Sequence, residues 1–261
     1  MIDNYHKRVL ILAVRAGEMM MKAGAEIYRV EDTITRICKA CGITYVDVFA
    51  TPTGIFVTLD EGSRDSDVFT YIKRIKGSET NLTTISELNR FSREFAATDL
   101  SVESGMDILD DLSGKKKYPR MLRLLASALV AAAFCMLFGG TPLDFMLAFI
   151  IGMVSYAFAR FLDIFEVNFF IRGFLCTFMA TLMALFAHGI EFATNTNSII
   201  IGVLMIFVPG VAITNSLRDF ISGDMVSGLA RLAETVIIAV SLAAGAGLML
   251  EIWSFMGGAI I

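Results

Sequence analysis

The residues best suited to chemistry stand together late in the chain, in the run Phe207-Val208-Pro209-Gly210-Val211-Ala212-Ile213-Thr214-Asn215-Ser216-Leu217-Arg218-Asp219. Proline removes a backbone donor and glycine adds freedom, so an apolar helix through Pro209 and Gly210 should break or kink near the middle of a bilayer. Interrupted helices expose carbonyls and half-helix ends to a solute. Thr214 and Asn215 then offer neutral hydrogen bonds, and Arg218 and Asp219 a charge pair. Asp224, Arg231 and Glu234 carry a second set of opposite charges onward. Together these nine residues describe a transport path, because an ionisable group such as Glu234 inside a span is costly and normally faces a partner or water. A proline kink with Arg218 and Arg231 snorkelling to the interface explains the same residues without a substrate.

A second group is Arg160, Asp163, Asn168 and Arg172, with Glu166 between them. Arginine can hold a carboxylate through two parallel hydrogen bonds, so these arginines suit a small carboxylate-bearing solute. Charges at a span end also serve as topology determinants and head-group contacts. Cys38 and Cys41 form a C-x-x-C late in an amphipathic helix, with no second cysteine pair and no close histidine pair, so they read as core thiols. His6 and His188 fall on opposite sides of the expected membrane. No metal set and no cofactor is implied. Neither a phosphate-binding glycine loop nor a G-x-S-x-G or H-E-x-x-H signature occurs, which argues against an ATP-driven pump and a hydrolase.

What must position these residues is a chain of 261 residues that is 56% hydrophobic and 18% charged, with a net charge of -4. Residues 1–120 hold 35 of the 48 charged side chains, so a charged domain precedes an apolar one. The balance gives no reason to expect nucleic acid as a partner. Five apolar stretches follow, at about 121–140, 145–164, 168–187, 198–217 and 229–250, each near the ~20 residues that a ~30 Å hydrocarbon layer requires. Lys115, Lys116, Lys117, Arg120 and Arg123 precede the first, Arg160 and Arg172 flank the second connection, and Arg218 and Arg231 the fourth. The other connections and the tail after Glu251 lack Lys and Arg, so the positive-inside rule predicts a cytoplasmic N-terminal domain and an outside C-terminus. Small residues at spacing four, Ser127 and Ala131, then Ala239, Ala243 and Gly247, would let these helices approach closely.

The first 118 residues read as an α+β domain. Val9, Leu12, Ala13, Ala16, Met20 and Ala23 repeat at helical spacing after an opening with no readable secretory signal. Ile27, Val30, Ile34, Ile37 and Cys41 form the stripe of a second helix, with Gly42 as its left-handed cap. The period then falls to two over Thr44–Ala50, Ile55–Asp60 and Asp67–Ile75. Turns at Thr51-Pro52-Thr53-Gly54 and Glu61-Gly62-Ser63-Arg64 predict a three-stranded meander. A capping box at Thr84 and Glu87 opens a third helix, and Ser101–Leu112 a fourth. The fold class is thus an α+β cytoplasmic domain with a small antiparallel sheet, residues 1–118, followed by an all-α domain of five transmembrane helices, residues 119–261.

Ala23-Gly24-Ala25-Glu26-Ile27-Tyr28-Arg29-Val30-Glu31-Asp32-Thr33, Thr51-Pro52-Thr53-Gly54-Ile55, Asn81-Leu82, Leu88-Asn89-Arg90-Phe91-Ser92-Arg93, Val208-Pro209-Gly210 and Asn215-Ser216-Leu217-Arg218-Asp219 resemble the threonine/serine exporter family. The resemblance covers nearly the whole chain. It implies export of threonine and serine, or of succinate-like dicarboxylates in a related split pair, driven by an ion gradient. It also implies that the chain is similar to the larger subunit of a split exporter, whose smaller membrane partner supplies about five further spans. An odd span count independently calls for such a partner or a second copy. The competing reading is a membrane-anchored sensor or enzyme working through the N-terminal domain, although that domain offers only acids and arginines on helix faces.

Overall fold

The computed structural model describes residues 4–60, 68–114 and 118–258. The turn expected at 61–64 and the lysines at 115–117 lie outside them. The elements are α1 (Asn4–Lys22), α2 (Ile27–Ala40), β1 (Tyr45–Thr51), β2 (Gly54–Asp60), β3 (Phe69–Arg74), α3 (Leu82–Ala97), α4 (Val102–Gly114), α5 (Arg120–Leu137), α6 (Pro142–Ile164), α7 (Phe169–Gly189), α8 (Thr196–Leu204), α9 (Gly210–Ile221) and α10 (Met225–Phe255). They fall into two compact units, one of residues 1–116 with 211–233, the other of residues 117–210 with 234–261.

In the first unit the apolar stripes read from the sequence are the core. Val9, Leu12, Ala13, Ala16 and Met20 of α1 are buried with Ile27, Val30, Ile34 and Ile37 of α2, together with Ile55, Val57, Leu88 and Leu109. Burial of these side chains is the main stabilising term, since each large aliphatic contributes about 1.5–3 kcal/mol when removed from water. The sheet is an antiparallel meander in the order β1-β2-β3. Thr51 pairs with Gly54 across the Pro52-Thr53 turn, and Gly54 pairs in turn with Arg74. Gly42 follows α2 with φ +82°, as the left-handed cap requires. The start of α3 differs from the expected capping box. The helix begins at Leu82, and Asn81 is its N-cap, its side chain accepting from Thr84 N–H at 3.1 Å. Thr84 is inside the first turn because asparagine caps as well as threonine and stands three residues earlier.

Among the described residues the regular elements of the second unit are all helices. Thr141 and Asp144 form a capping box at the start of α6 with Pro142 at the first helical position. Asp144, fully buried, also accepts from Thr194 N–H at 2.8 Å and Asn195 N–H at 3.2 Å, which ties the α7–α8 connection to the start of α6. A buried carboxylate in an apolar helix is thereby satisfied by backbone donors. Where α8 crosses α5, Gly202 allows the approach, since a Cβ there would stand 2.5 Å from the Ala131 carbonyl and 2.7 Å from Cys135 N.

Among the described residues four helices are long and apolar enough to cross a membrane: α5, α6, α7 and α10. The fourth expected stretch, 198–217, is not among them, and it is interrupted where Pro209 and Gly210 led one to expect a break. There α8 and α9, of 9 and 12 residues, are separated by Met205–Pro209. Proline at 209 has no N–H to continue the ladder, and glycine at 210 does not enforce it. The fifth stretch is longer than expected, because α10 runs for 31 residues, or about 46 Å. Its residues up to Ala233 group with the first unit, so the first unit takes in more of the chain than residues 1–118. The small-residue stripe on α10 is also displaced. Ser241, Leu242, Gly245, Ala246 and Met249 are buried, whereas Ala239, Ala243 and Gly247 are exposed. Gly245 abuts the Phe174 carbonyl and Thr177, which places α7 against that neighbouring face.

Candidate functional site

The α1–α2 connection turns at Gly24, whose φ of +78° strongly favours glycine, and leaves three backbone groups of residues 24, 25 and 27 to be satisfied. All three are met by residues of α9 and α10. Asn215 Nδ2 donates to the Gly24 carbonyl at 2.9 Å, and Arg231 donates to the Ala25 carbonyl at 2.7 Å. Asp219 Oδ1 accepts from Ile27 N–H at 3.3 Å. A carboxylate at the first turn of α2 is also favoured by the helix dipole. Ser227 completes the attachment by donating to the Ala50 carbonyl at the end of the sheet, and Ser216 donates to the Gly228 carbonyl, holding α9 and α10 to each other.

Around this backbone clasp lies a charge cluster. Glu26, 6% exposed, is the N-cap residue of α2 without making a side-chain cap bond. Its carboxylate instead pairs with Arg218 through Oε1 and with Arg29 through Oε2 at 3.2 Å. Arg29 Nε also donates to the Tyr28 hydroxyl at 3.0 Å. Asp219 is fully buried, and its Oδ2 faces Arg231 Nε at 3.4 Å. Burial pushes the Asp219 carboxyl above the ordinary aspartate value, against the pull of Arg231 and the Ile27 N–H, while Asp224 and Glu26 push it further up. Glu31 accepts from Ala50 N–H at 2.8 Å, yet burial raises its carboxyl too, with Asp224 and Asp219 adding to the rise.

Of the nine residues of the expected path, Asn215, Arg218, Asp219 and Arg231 meet here, and Asp224 stands half-buried at their edge. Thr214 and Glu234 are exposed, and Pro209 and Gly210 lie at the break that precedes the cluster. The second expected group forms separately in the other unit. Asp163 bridges Arg160 at 3.0 Å and Arg172 at 2.6 Å, and Asn168 caps α7 by accepting from Phe170 N–H at 2.9 Å. Cys38 is buried in the first core and its thiol is pushed up to about 12 by burial, so it is an inert core side chain. Among the described residues no group of three or more His, Cys, Asp or Glu side chains is placed to hold a metal ion.

Sequence reasoning does not mark Glu26 for chemistry, though it directly follows the small-residue run Ala23-Gly24-Ala25. The available signal was a carboxylate directly before a helix start, where an acid suits the dipole.

Comparison with known proteins decides the family. The pattern described as "Putative threonine/serine exporter" matches residues 11–253. The chain belongs to the threonine/serine exporter family. A "Probable threonine/serine exporter" of Mycobacterium tuberculosis is 26% identical over 246 residues, 94% of this chain but 46% of that protein. The "Threonine/serine exporter" of Corynebacterium glutamicum is 26% identical over 252 residues, 94% and 51% of the two chains. The chain thus spans about half the length of these two family members. A "Probable succinate transporter subunit YjjP" of Klebsiella aerogenes, 25% identical over 260 residues, matches along 97% of both chains. No solved structure matches significantly. The segments Ala23–Thr33 and Asn215–Asp219, which carry the resemblance in the sequence, supply two sides of the clasp just described.

Proposed function

We propose that this chain is one subunit of a secondary exporter of a small amino acid, threonine or serine, or of a related small carboxylate such as succinate. It works with a second membrane half of about five spans, a smaller partner or a second copy, in the plasma membrane. The first unit stands in the cytoplasm and the C-terminus outside, following the basic residues. In this reading α8 enters the membrane as part of a span, the fourth in chain order, that breaks off at Met205–Pro209. Support comes from the full-length match to a transporter subunit and the half-length match to two longer exporters.

The observation that carries the site assignment is that Arg218, 45% exposed, holds a carboxylate that the chain itself supplies, Glu26. A substrate carboxylate presents the same planar acceptor, so it can replace Glu26 on Arg218 without leaving the guanidinium unpaired. Glu26 retains Arg29 meanwhile, which keeps the exchange from stranding a buried charge. Because Arg218 belongs to α9 and Glu26 to the start of α2, that exchange releases one tie of the clasp, and α9 is joined to α8 by the non-helical Met205–Pro209. A ligand that binds the released state better shifts the population toward it.

The test is exchange of labelled threonine, serine and succinate by proteoliposomes carrying the second membrane half together with variants of this chain verified to be inserted. Arg218→Ala is expected to abolish exchange. Glu26→Gln, which removes the competing charge, is expected to lower the apparent KM severalfold. Normal exchange by Arg218→Ala, or an unchanged KM in Glu26→Gln, contradicts the assignment.

A further inference from the structure

One motif of the chain has no role in the clasp: Leu88-Asn89-Arg90-Phe91-Ser92-Arg93 on α3. Its apolar members Leu88 and Phe91 are core, but Arg90 and Arg93 are exposed, three residues apart on one face. They line a cavity of about 540 Å³ in the first unit together with Arg29, Glu94, Leu82 and Ile85. Three arginines thus line one hollow of a chain whose net charge is -4, with Glu94 as the acid in the lining, 3.6 Å from Arg90. The site leaves positive charge in excess. Leu82 and Ile85 give it an apolar wall.

From this we infer a binding site for a small soluble dianion, a metabolite carrying two carboxylates or a pyrophosphate group on a short apolar body. Guanidinium forks are matched to such oxyanions, and two groups are needed to engage more than one arginine. The site is regulatory in its wiring, because Arg29 serves two places. It lines the cavity, and its Nε stands 3.2 Å from Glu26 Oε2 in the clasp. A dianion that draws Arg29 toward Arg90 and Arg93 takes it from Glu26 and leaves Arg218 as the carboxylate's remaining arginine. Occupancy of the cavity and the strength of the Glu26–Arg218 tie are therefore linked, and linkage runs both ways.

The inference stands apart from the transport reading, since binding is measured directly. The experiment is isothermal titration of pyrophosphate, which is not among the proposed transport substrates, into the full chain in nanodiscs of zwitterionic lipid. Saturable binding is expected. It should weaken tenfold or more in Arg93→Gln and in the Arg90→Gln, Arg93→Gln double variant, and persist in Lys39→Gln, which removes one charge elsewhere on the first unit as Arg93→Gln does. Both arginines are exposed, so an unchanged melting temperature certifies the variants. No saturable binding by the folded protein, or binding that the double variant leaves intact, overturns the inference. The same titration in nanodiscs of anionic lipid separates a soluble ligand from a lipid head group. Unchanged affinity is expected, and loss of pyrophosphate binding to competing lipid would overturn the assignment to a metabolite.

Discussion

Four carboxylates and three arginines share the clasp, and they differ in what each loses when its partner goes. Asp219 is fully buried and Arg231 nearly so, while Glu26 keeps Arg29 when Arg218 is removed. Breaking a buried pair from one side strands a charge at a cost of about 3–5 kcal/mol, whereas a pair with a second partner loses far less. Asp219→Ala is therefore expected to lower the melting temperature in detergent much more than Arg218→Ala, and equal losses would count against the division of labour described for the two arginines. Glu31 gives a pH signature. Its carboxyl is raised by burial, so the folded state holds that proton more tightly than the unfolded chain does. Its stabilising contribution is full below the unfolded glutamate value and is lost as pH rises through the folded one. Glu31→Gln can keep the acceptor for Ala50 N–H without the buried charge. The melting temperature of the variant minus that of the parent is expected to grow from pH 4 to pH 8, and a constant difference would contradict the raised carboxyl.

Helix contacts decide which small residues matter. Gly202 meets backbone atoms of α5, so Gly202→Ala must displace a helix, while Gly247 has open space where a Cβ would go. Overpacking of this kind costs typically 1–3 kcal/mol. Gly202→Ala is expected to lower the detergent melting temperature by several degrees and Gly247→Ala to leave it unchanged. The reverse order would show that the helices cross elsewhere. Much at this scale was legible in the chain. The period-3.6 stripes of α1 and α2, the meander and the break at Pro209-Gly210 all follow from local rules that tertiary contacts did not override. The register of α10 was not legible, because alanine, glycine and serine occupy two adjacent faces and only the partner helix chooses between them. The N-cap of α3 was missed for a related reason, since Asn81 and Thr84 both satisfy the capping chemistry and the start of the helix selects one.

At the scale of the molecule, a charged α+β half and an apolar helical half were evident from where the 48 charged residues fall, but the return of residues 211–233 to the first unit was not. That grouping rests on contacts across nearly two hundred residues, Asn215 to Gly24 and Asp219 to Ile27, which no local pattern encodes. The residues expected to await a substrate, Arg218 and Arg231, consequently have intramolecular partners already, and the account becomes one of exchange between carboxylates. Its central claim, an exporter subunit that needs a second membrane half, is tested most directly by counterflow in proteoliposomes with labelled threonine, serine and succinate. The chain alone and the chain with a five-span partner are compared. Exchange of at least one of these solutes in the paired preparation and none by the chain reconstituted alone as a monomer is predicted. Full exchange by the monomeric chain alone, or none by either preparation with the protein shown to be folded and inserted, would contradict it.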